Sequence, residues 1–295
     1  MEALLGADLL SLIADRISRL VAVMPVSSAP SARDDTAAVR LEFADGVVLK
    51  GRRVRNARRA ETVEQLVGLA GDGFQPVRAR RGRALLTEWV PGRVLTSIDP
   101  SPDVMRRCGR LLANLHRITV PDATRRHPDV DRALRNLQHD LETLQAAHAI
   151  DDLFSDRAVS LATTRIPPAA TAGIIHNDFC AENIVLGRGG EITVIDNATI
   201  TFGLHDMDLA RTWLRWPMAP ENGAEFVSGY RTGRSPEGFL EHFAFWAVCA
   251  LSRAAANRLR RQMGGIESRL KMLASLLERG RGDAFAAGPW PAPVS

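Results

Sequence analysis

Apolar positions along this chain recur at two different spacings, and the change from one to the other organises the sequence. Leu9, Leu12, Ile13, Ile17 and Leu20 stand three or four residues apart, which predicts a helix over Leu9 to Leu20. The Pro/Ser/Ala stretch from Pro25 to Asp35 predicts a loop. Strand-like runs follow at Ala38 to Phe43, Val47 to Lys50 and Ala84 to Val90, and the Asp45-Gly46 pair between the first two signals a hairpin turn. Between Lys50 and Ala84, the residues Val63, Leu66, Val67 and Ala70 form one stripe of a helix over Ala60 to Ala70, which stops at Gly71-Asp72-Gly73. Pro76 to Arg80 is a further strand that carries its proline at the start. A hairpin, a helix and more strands make a small α+β unit.

After Pro91-Gly92 the pattern turns helical. Ser101-Pro102 reads as an N-cap followed by proline in the first turn, and the helix it opens carries Val104, Cys108, Leu111, Leu112, Leu115 and Ile118. A second amphipathic run holds Val130, Leu134, Leu137, Leu141 and Leu144. Thr163 to Gly173 is a connector, and apolar helices are predicted over about Gly238 to Arg261 and Ile266 to Glu278. The division expected is residues 1–90, residues 91–280, and a loosely ordered Gly/Ala/Pro-rich tail over 281–295.

Composition narrows the classes. A chain of 295 residues with 45% hydrophobic and 24% charged residues is globular and long enough for two lobes. No uncharged apolar run of about 18 residues occurs, so no membrane span is predicted. The N-terminus lacks the basic region and cleavage site of a secretory signal, and three widely spaced cysteines read as reduced thiols; a cytoplasmic protein is expected. The net charge of +4 raises nucleic acid as a partner, but the dense run Arg52 to Arg59 has no interleaved aromatics and reads as a solvated face. No nucleic-acid partner is expected, and the oligomeric state is left open. Among 38 basic residues only Lys50 and Lys271 are lysines. Lys50 ends a short strand, where a compact ammonium suits phosphate oxygens as a point charge.

The stretch Ile174-Ile175-His176-Asn177-Asp178-Phe179-Cys180-Ala181-Glu182-Asn183-Ile184-Val185-Leu186 carries the chemistry. Asp178 is followed five residues later by Asn183, with apolar runs on both sides, and Asp196 closes a further apolar run, Ile192 to Ile195. This is the layout of a kinase catalytic loop followed by a metal-binding strand end. In that layout Asp178 orients or deprotonates a hydroxyl. Asn183 and Asp196 offer hard oxygens to Mg2+. Lys50 reaches the nucleotide phosphates, steadied by a carboxylate on the following helix.

These motifs resemble the aminoglycoside phosphotransferase and choline kinase-like family, which shares the protein kinase fold. The likeness runs from about Val39 to Ala210. Leu111 to Ile118 is similar to that family's helix before the catalytic loop, and Leu85-Leu86-Thr87-Glu88-Trp89-Val90-Pro91-Gly92 to its interlobe hinge. The resemblance implies a two-lobed α+β chain with a small antiparallel sheet plus helix and a larger, mainly helical lobe. It implies ATP, or GTP, as donor with Mg2+, a small-molecule acceptor, and adenine held by the Glu88 carbonyl and the Val90 amide. It also implies that Asp208, in Gly203 to Ala210, braces the catalytic loop.

The family often has glycine where Asn177 stands and an aromatic where Asn197 stands, and Met24 to Thr36, where a phosphate-covering loop belongs, contains no glycine. Either Glu61 or Glu64 can partner Lys50. At about 100° per residue Glu64 borders the apolar stripe while Glu61 points nearly opposite it, which favours Glu64. A polycationic acceptor needs carboxylates, for which Asp151, Asp152, Asp206, Glu221, Glu225 and Glu241 are available. A quaternary amine needs an aromatic cage, for which Trp213, Trp216, Phe243, Phe245 and Trp246 are available, although their spacing suits helix core. Amino-alcohols, sugars and antibiotics all stay open as acceptors, and a nucleotide-binding pseudokinase is the alternative to an enzyme.

Overall fold

The protein is seen in a computed structural model that describes residues 2–26, 38–96, 100–119, 128–279 and 290. In chain order its elements are α1 (Glu2–Leu12), a 3-10 segment (Ala14–Arg19), β1 (Leu20–Pro25), β2 (Ala38–Phe43), β3 (Val48–Arg53), α2 (Ala57–Ala70), β4 (Val77–Arg81), β5 (Ala84–Glu88) and β6 (Arg93–Val94). There follow α3 (Pro102–Arg117), α4 (Val130–Ala146), α5 (Asp152–Thr164), β7 (Ala172–Ile175), β8 (Ile184–Leu186), β9 (Ile192–Val194) and β10 (Thr201–Leu204). Helices α6 (His205–Arg215), α7 (Pro220–Arg231), α8 (Glu237–Glu241), α9 (Phe243–Arg260) and α10 (Ile266–Arg279) complete it. Two compact units result: Met1–Leu95 with Glu182–Thr201, and Thr96–Ala181 with Phe202–Ser295.

The first unit is built on an antiparallel sheet of order β1-β2-β3-β5-β4. The Asp45-Gly46 turn forms as its residue types demand: Gly46 takes φ 79° and Asp45 accepts the Val47 amide at 3.2 Å. Alternation along β2 buries Val39, Leu41 and Phe43 against Leu5, Leu9 and Ile13. Gly51 on β3 admits the Leu9 side chain, which a Cβ there would strike. The expected helix over Leu9 to Leu20 is therefore corrected. The helix ends at Leu12, Ile17 is 39% exposed in the 3-10 segment, and Leu20 pairs with Phe43 as the first residue of β1. A second ribbon, β6-β8-β9, is antiparallel throughout.

The second unit packs helices around α9, whose Phe245, Trp246 and Leu251 are fully buried. Ser101 caps α3 by accepting the Val104 amide at 3.4 Å. Helices α3 and α7 approach at their glycines: a Cβ on Gly109 would meet the Phe226 carbonyl, and one on Gly229 the Arg106 carbonyl. On α4, the buried Asp140 pairs with Arg253 and, at 2.8 Å, with Arg260, so the charge is compensated from α9. Strand β7 pairs with β10. Among the described residues no helix is long and apolar enough to cross a membrane. The segment 27–36 of the glycine-free loop and the tail 281–295, apart from Trp290, lie outside the described residues.

The α3–α7 crossing makes a stability prediction. Gly109→Ala forces the two backbones apart and should cost about 1–3 kcal/mol, read as a lower urea midpoint at unchanged m-value. An unchanged midpoint would contradict the close approach.

Candidate active site

Strand β7 ends at Ile175, and the chain turns at once into the predicted catalytic loop. The turn requires a positive φ at Asn177, 69°, a conformation that asparagine tolerates better than most non-glycine residues. Asp208, wholly buried in the first turn of α6, holds the turn. Its carboxylate accepts the His176 amide at 2.9 Å and the Asn177 amide at 2.7 Å. His116 of α3 lies against the same carboxylate, Nε2 to Oδ2 at 3.1 Å, while its Nδ1 is 2.7 Å from the Tyr230 hydroxyl. Burial pushes the Asp208 carboxyl up, but the hydrogen bond and charge of His116, with the charge and amide of His176, outweigh it and hold it below its usual range. Burial keeps His116 below its ordinary value despite Asp208. The neutral imidazole then donates from Nε2 to Asp208 and accepts at Nδ1 from Tyr230, a tautomer assigned from the network.

Asp178 follows the turn, with Arg215 Nε of α6 3.3 Å from its Oδ1. Arg215 also reaches Cys180 Sγ at 3.6 Å through Nη2. No motif in the sequence signals this arginine; it arrives because α6, anchored at Asp208, carries it two turns further along the same helix. His176 is wholly buried, with its ring 5.8 Å from that of Phe179 in an edge-on contact.

In the first unit, Asn183 and Asp196 stand at one end of the β8–β9 ribbon. Asn183 precedes β8 and Asp196 follows β9 by two residues, and the Ile195 amide donates to the Asn183 carbonyl at 2.8 Å. Asp196 also takes a positive φ, 60°. Its carboxylate lies 3.9 Å from Lys50 Nζ and also pairs with Arg52. Lys50 and Arg52 share a face of β3 because they are two residues apart, a signal present in the sequence but overlooked. Lys50 is only 7% exposed; burial, then the neighbouring Arg52 charge, bring its ammonium down to about 8. Arg59 donates to the Ala198 carbonyl at 2.7 Å, tying α2 to the turn after Asp196. The arginine run 52–59 is thus not wholly a solvated face, since Arg52 and Arg59 have internal partners.

Asn197 buries its amide and donates to the carbonyls of Gln75, at 3.1 Å, and Val194, at 3.3 Å. Gln75 in turn donates its side-chain amide to the Glu88 carbonyl at 2.6 Å. A polar chain therefore links the turn after Asp196 to the predicted hinge. A carbonyl has two lone pairs, so Glu88 keeps an acceptor position beyond Gln75. Val90 lies two residues beyond β5, partly buried.

The expected pairing of Lys50 with Glu64 is corrected: Glu64 binds Arg80 of β4 at 2.6 Å. Val63 is the α2 residue that lines the small recess beside Lys50, Arg52 and Asp196. Glu64, one position on, is rotated about 100° away toward β4. Three of the candidate acceptor carboxylates are engaged locally. Asp151 caps α5 through the Phe154 amide, Asp152 accepts from Gln145, and Glu225 pairs with Arg106. The five aromatics are core, none more than 6% exposed. Asp206 lines a separate cleft of about 450 Å³ with Thr171, Arg234, Ser235 and Gly238.

An α+β chain with a five-stranded antiparallel sheet, a helical remainder and this loop–strand–Asp constellation has the protein kinase-like fold. The sequence profile of the phosphotransferase enzyme family, APH, matches residues 43–245, and the chain belongs to that family. It is a phosphotransferase that acts on hydroxyl groups. No functionally curated sequence matches it. Among solved structures it is similar to an ethanolamine kinase of Plasmodium vivax, with TM-score 0.65 and 14% identity over 90% of this chain and 85% of that one. It is also similar to a macrolide 2'-phosphotransferase of Brachybacterium faecium, with TM-score 0.61 and 16% identity over 91% and 96%. A third is an amicoumacin kinase in complex with AMP-PNP, Ca2+ and Ami, with TM-score 0.63 and 13% identity over 99% and 97%.

Asp206 yields a pH prediction. It is 8% exposed and has no hydrogen-bond partner among the described residues, and burial lifts its carboxyl from 3.8 to about 6 against the pull of Arg234 and His242. Between those values the folded chain binds more protons than the unfolded one, so stability falls as pH rises through the window and levels off above it. Asp206→Asn removes this slope. Relative to wild type, the variant should gain about 2 kcal/mol between pH 4 and pH 7, measured by urea midpoints. Parallel curves would contradict the assignment.

Proposed function

We propose that this chain transfers the γ-phosphate of ATP, or GTP, in the presence of Mg2+, to a hydroxyl of a small molecule, with Asp178, Asn183, Asp196 and Lys50 as the working groups. The observation that carries the reading is the placing of Asn183 and Asp196 at one end of the β8–β9 ribbon, with the buried Lys50 ammonium 3.9 Å from the Asp196 carboxylate. Transfer proceeds through a loose transition state, so positioning and charge neutralisation supply most of the rate. Among the described residues no group of three or more His, Cys, Asp or Glu gathers as a metal site. An amide and one carboxylate, with waters completing the shell, fit Mg2+, which prefers few protein oxygens. Asn183 and Asp196 would hold the ion, which supplies charge neutralisation at the phosphates.

The remaining roles belong to the chain. Lys50, with its pKa near 8, is mainly protonated at neutral pH and presents a point charge to the phosphates. Glu88 and Val90 receive the base through backbone groups. Asp178 accepts the hydrogen bond of the acceptor hydroxyl and takes its proton as the bond to phosphorus forms; the nucleoside diphosphate leaves with its electron pair. The nucleotide is assigned to the first unit and the acceptor to the helical one. The amicoumacin kinase crystallised with AMP-PNP and Ca2+ supports a nucleotide and a divalent cation. Three buried free cysteines suit a cytoplasmic setting.

Asp178→Ala should abolish acceptor-dependent ATP consumption, a loss of at least about 10³-fold, while binding of Mg2+–AMP-PNP measured by calorimetry stays within about twofold. Asp196→Ala should weaken that binding as well. Full turnover in the Asp178 variant would sink the mechanism.

A further inference from the structure

The cleft in front of Asp206 lies apart from the predicted catalytic groups. It holds about 450 Å³ and is walled by Thr171, Asp206, Gly233, Arg234, Ser235 and Gly238, all of them in the helical unit. Thr171 stands just before β7, whereas Asp178 follows the other end of that strand, so a strand length of about 13 Å separates the cleft from the predicted base. Asp206 is only 8% exposed and, among the described residues, has no hydrogen-bond or ion-pair partner. Both its carboxylate oxygens face Gly238 across the cleft: a Cβ there would lie 3.1 Å from Oδ2 and 3.2 Å from Oδ1. The missing side chain at Gly238 leaves that face of the carboxylate open.

A carboxylate taken out of water without a partner costs free energy. The neighbouring cations do not supply one. Arg234 donates from Nη1 to the His116 carbonyl at 3.1 Å, and His242 donates from Nδ1 to the Arg165 carbonyl at 3.1 Å. Arg234 keeps further N–H donors beyond that bond. Beside it, Ser235 Oγ accepts the Glu237 amide at 3.2 Å, which leaves the hydroxyl hydrogen to donate. One cleft thus presents a carboxylate without a donor and a guanidinium and hydroxyl with donors to spare. Among the described residues no group of three or more His, Cys, Asp or Glu gathers there as a metal site, and no aromatic face lines the cleft for a quaternary amine.

We propose that this cleft is a second ligand site, which binds a small zwitterion of amino-acid size: its ammonium donates to Asp206, and its anionic oxygen group accepts from Arg234 and Ser235. Each charge of such a ligand meets the group that lacks a partner, whereas a simple cation would face Arg234 and a simple anion would face Asp206. Burial lifts the Asp206 carboxyl to about 6, so at neutral pH it is mainly ionised and ready to accept the ammonium. Both walls are fixed in advance. Arg234 is tied to the His116 carbonyl, and Asp206 sits in the first turn of α6, two residues before the Asp208 that holds the catalytic loop. Little ordering is therefore left to oppose binding.

The test titrates the full chain, without nucleotide, by calorimetry at pH 7. Its panel is the proteinogenic α-amino acids, which carry a carboxylate, and phosphoethanolamine, which carries a phosphate. At least one member should bind, and the better binder of the two kinds tells carboxylate from phosphate. The amine and the acid that each hold only one of its charges should bind at least about tenfold more weakly. Asp206→Asn keeps the shape of the cleft and should weaken the zwitterion about tenfold, as should Arg234→Gln. Asp178→Ala, beyond the far end of β7, should leave binding within about twofold. No binding by any member at millimolar concentration overturns the proposal, as does equal binding of the amine or of the acid alone. Unchanged binding in Asp206→Asn also overturns it, and so does loss in Asp178→Ala, because the ligand would then sit at the catalytic loop. None of these results bears on phosphate transfer, which the Asp178 and Asp196 variants test separately.

Discussion

A single buried carboxylate sets the geometry on which the helical unit's chemistry depends. Asp208 has no exposure, and its two oxygens take the backbone amides of His176 and Asn177 and the imidazole of His116. An ionised carboxylate out of water is costly unless its lone pairs are satisfied. Charge-assisted hydrogen bonds from two loop amides do this, each worth about 1.5–3 kcal/mol. The same bonds hold Asn177 at a positive φ, so that Asp178 leaves the turn in one direction. Loss of the carboxylate would leave two amides without partners and release the loop from α6.

Each acid at the predicted site has a basic companion close by: Asp208 has His116, Asp178 has Arg215, and Asp196 has Lys50 and Arg52. Arg215, Lys50 and Arg52 are charges fixed beside Asp178 and Asp196, and they offset those carboxylates with little rearrangement. Of the four non-glycine residues with positive φ among the described residues, two, Asn177 and Asp196, adjoin or are predicted functional groups. Backbone strain at such positions persists because ladders and buried hydrogen bonds over-determine it. Asn197 contributes by tying its turn to Gln75, and through Gln75 to the hinge carbonyl.

Much of this was legible in the sequence because it is local. The β2–β3 hairpin follows from alternation and Asp45-Gly46, α3 from Ser101-Pro102 and its apolar stripe, and the loop from the spacing of Asp178, Asn183 and Asp196. What was missed depends on tertiary neighbours. Leu20 belongs to β1 because Phe43 is there to pair with it, although helical spacing from Leu9 suggested otherwise. Helix α5 lies where few apolar residues mark it; its Asp151 cap was legible but was weighed as an acceptor ligand instead. Glu64 turns to Arg80 because β4 brings that arginine alongside, a fact no helical wheel contains. Arg215 reaches Asp178 from a separate helix, and that meeting has no sequence signature.

The central claim is that phosphate passes from nucleotide to a small alcohol. Following the label of γ-labelled ATP in a protein-free metabolite extract with Mg2+ tests it most directly. The account predicts label in a phosphorylated organic product with the wild-type chain. Label found only in inorganic phosphate, or attached to the protein, would contradict it.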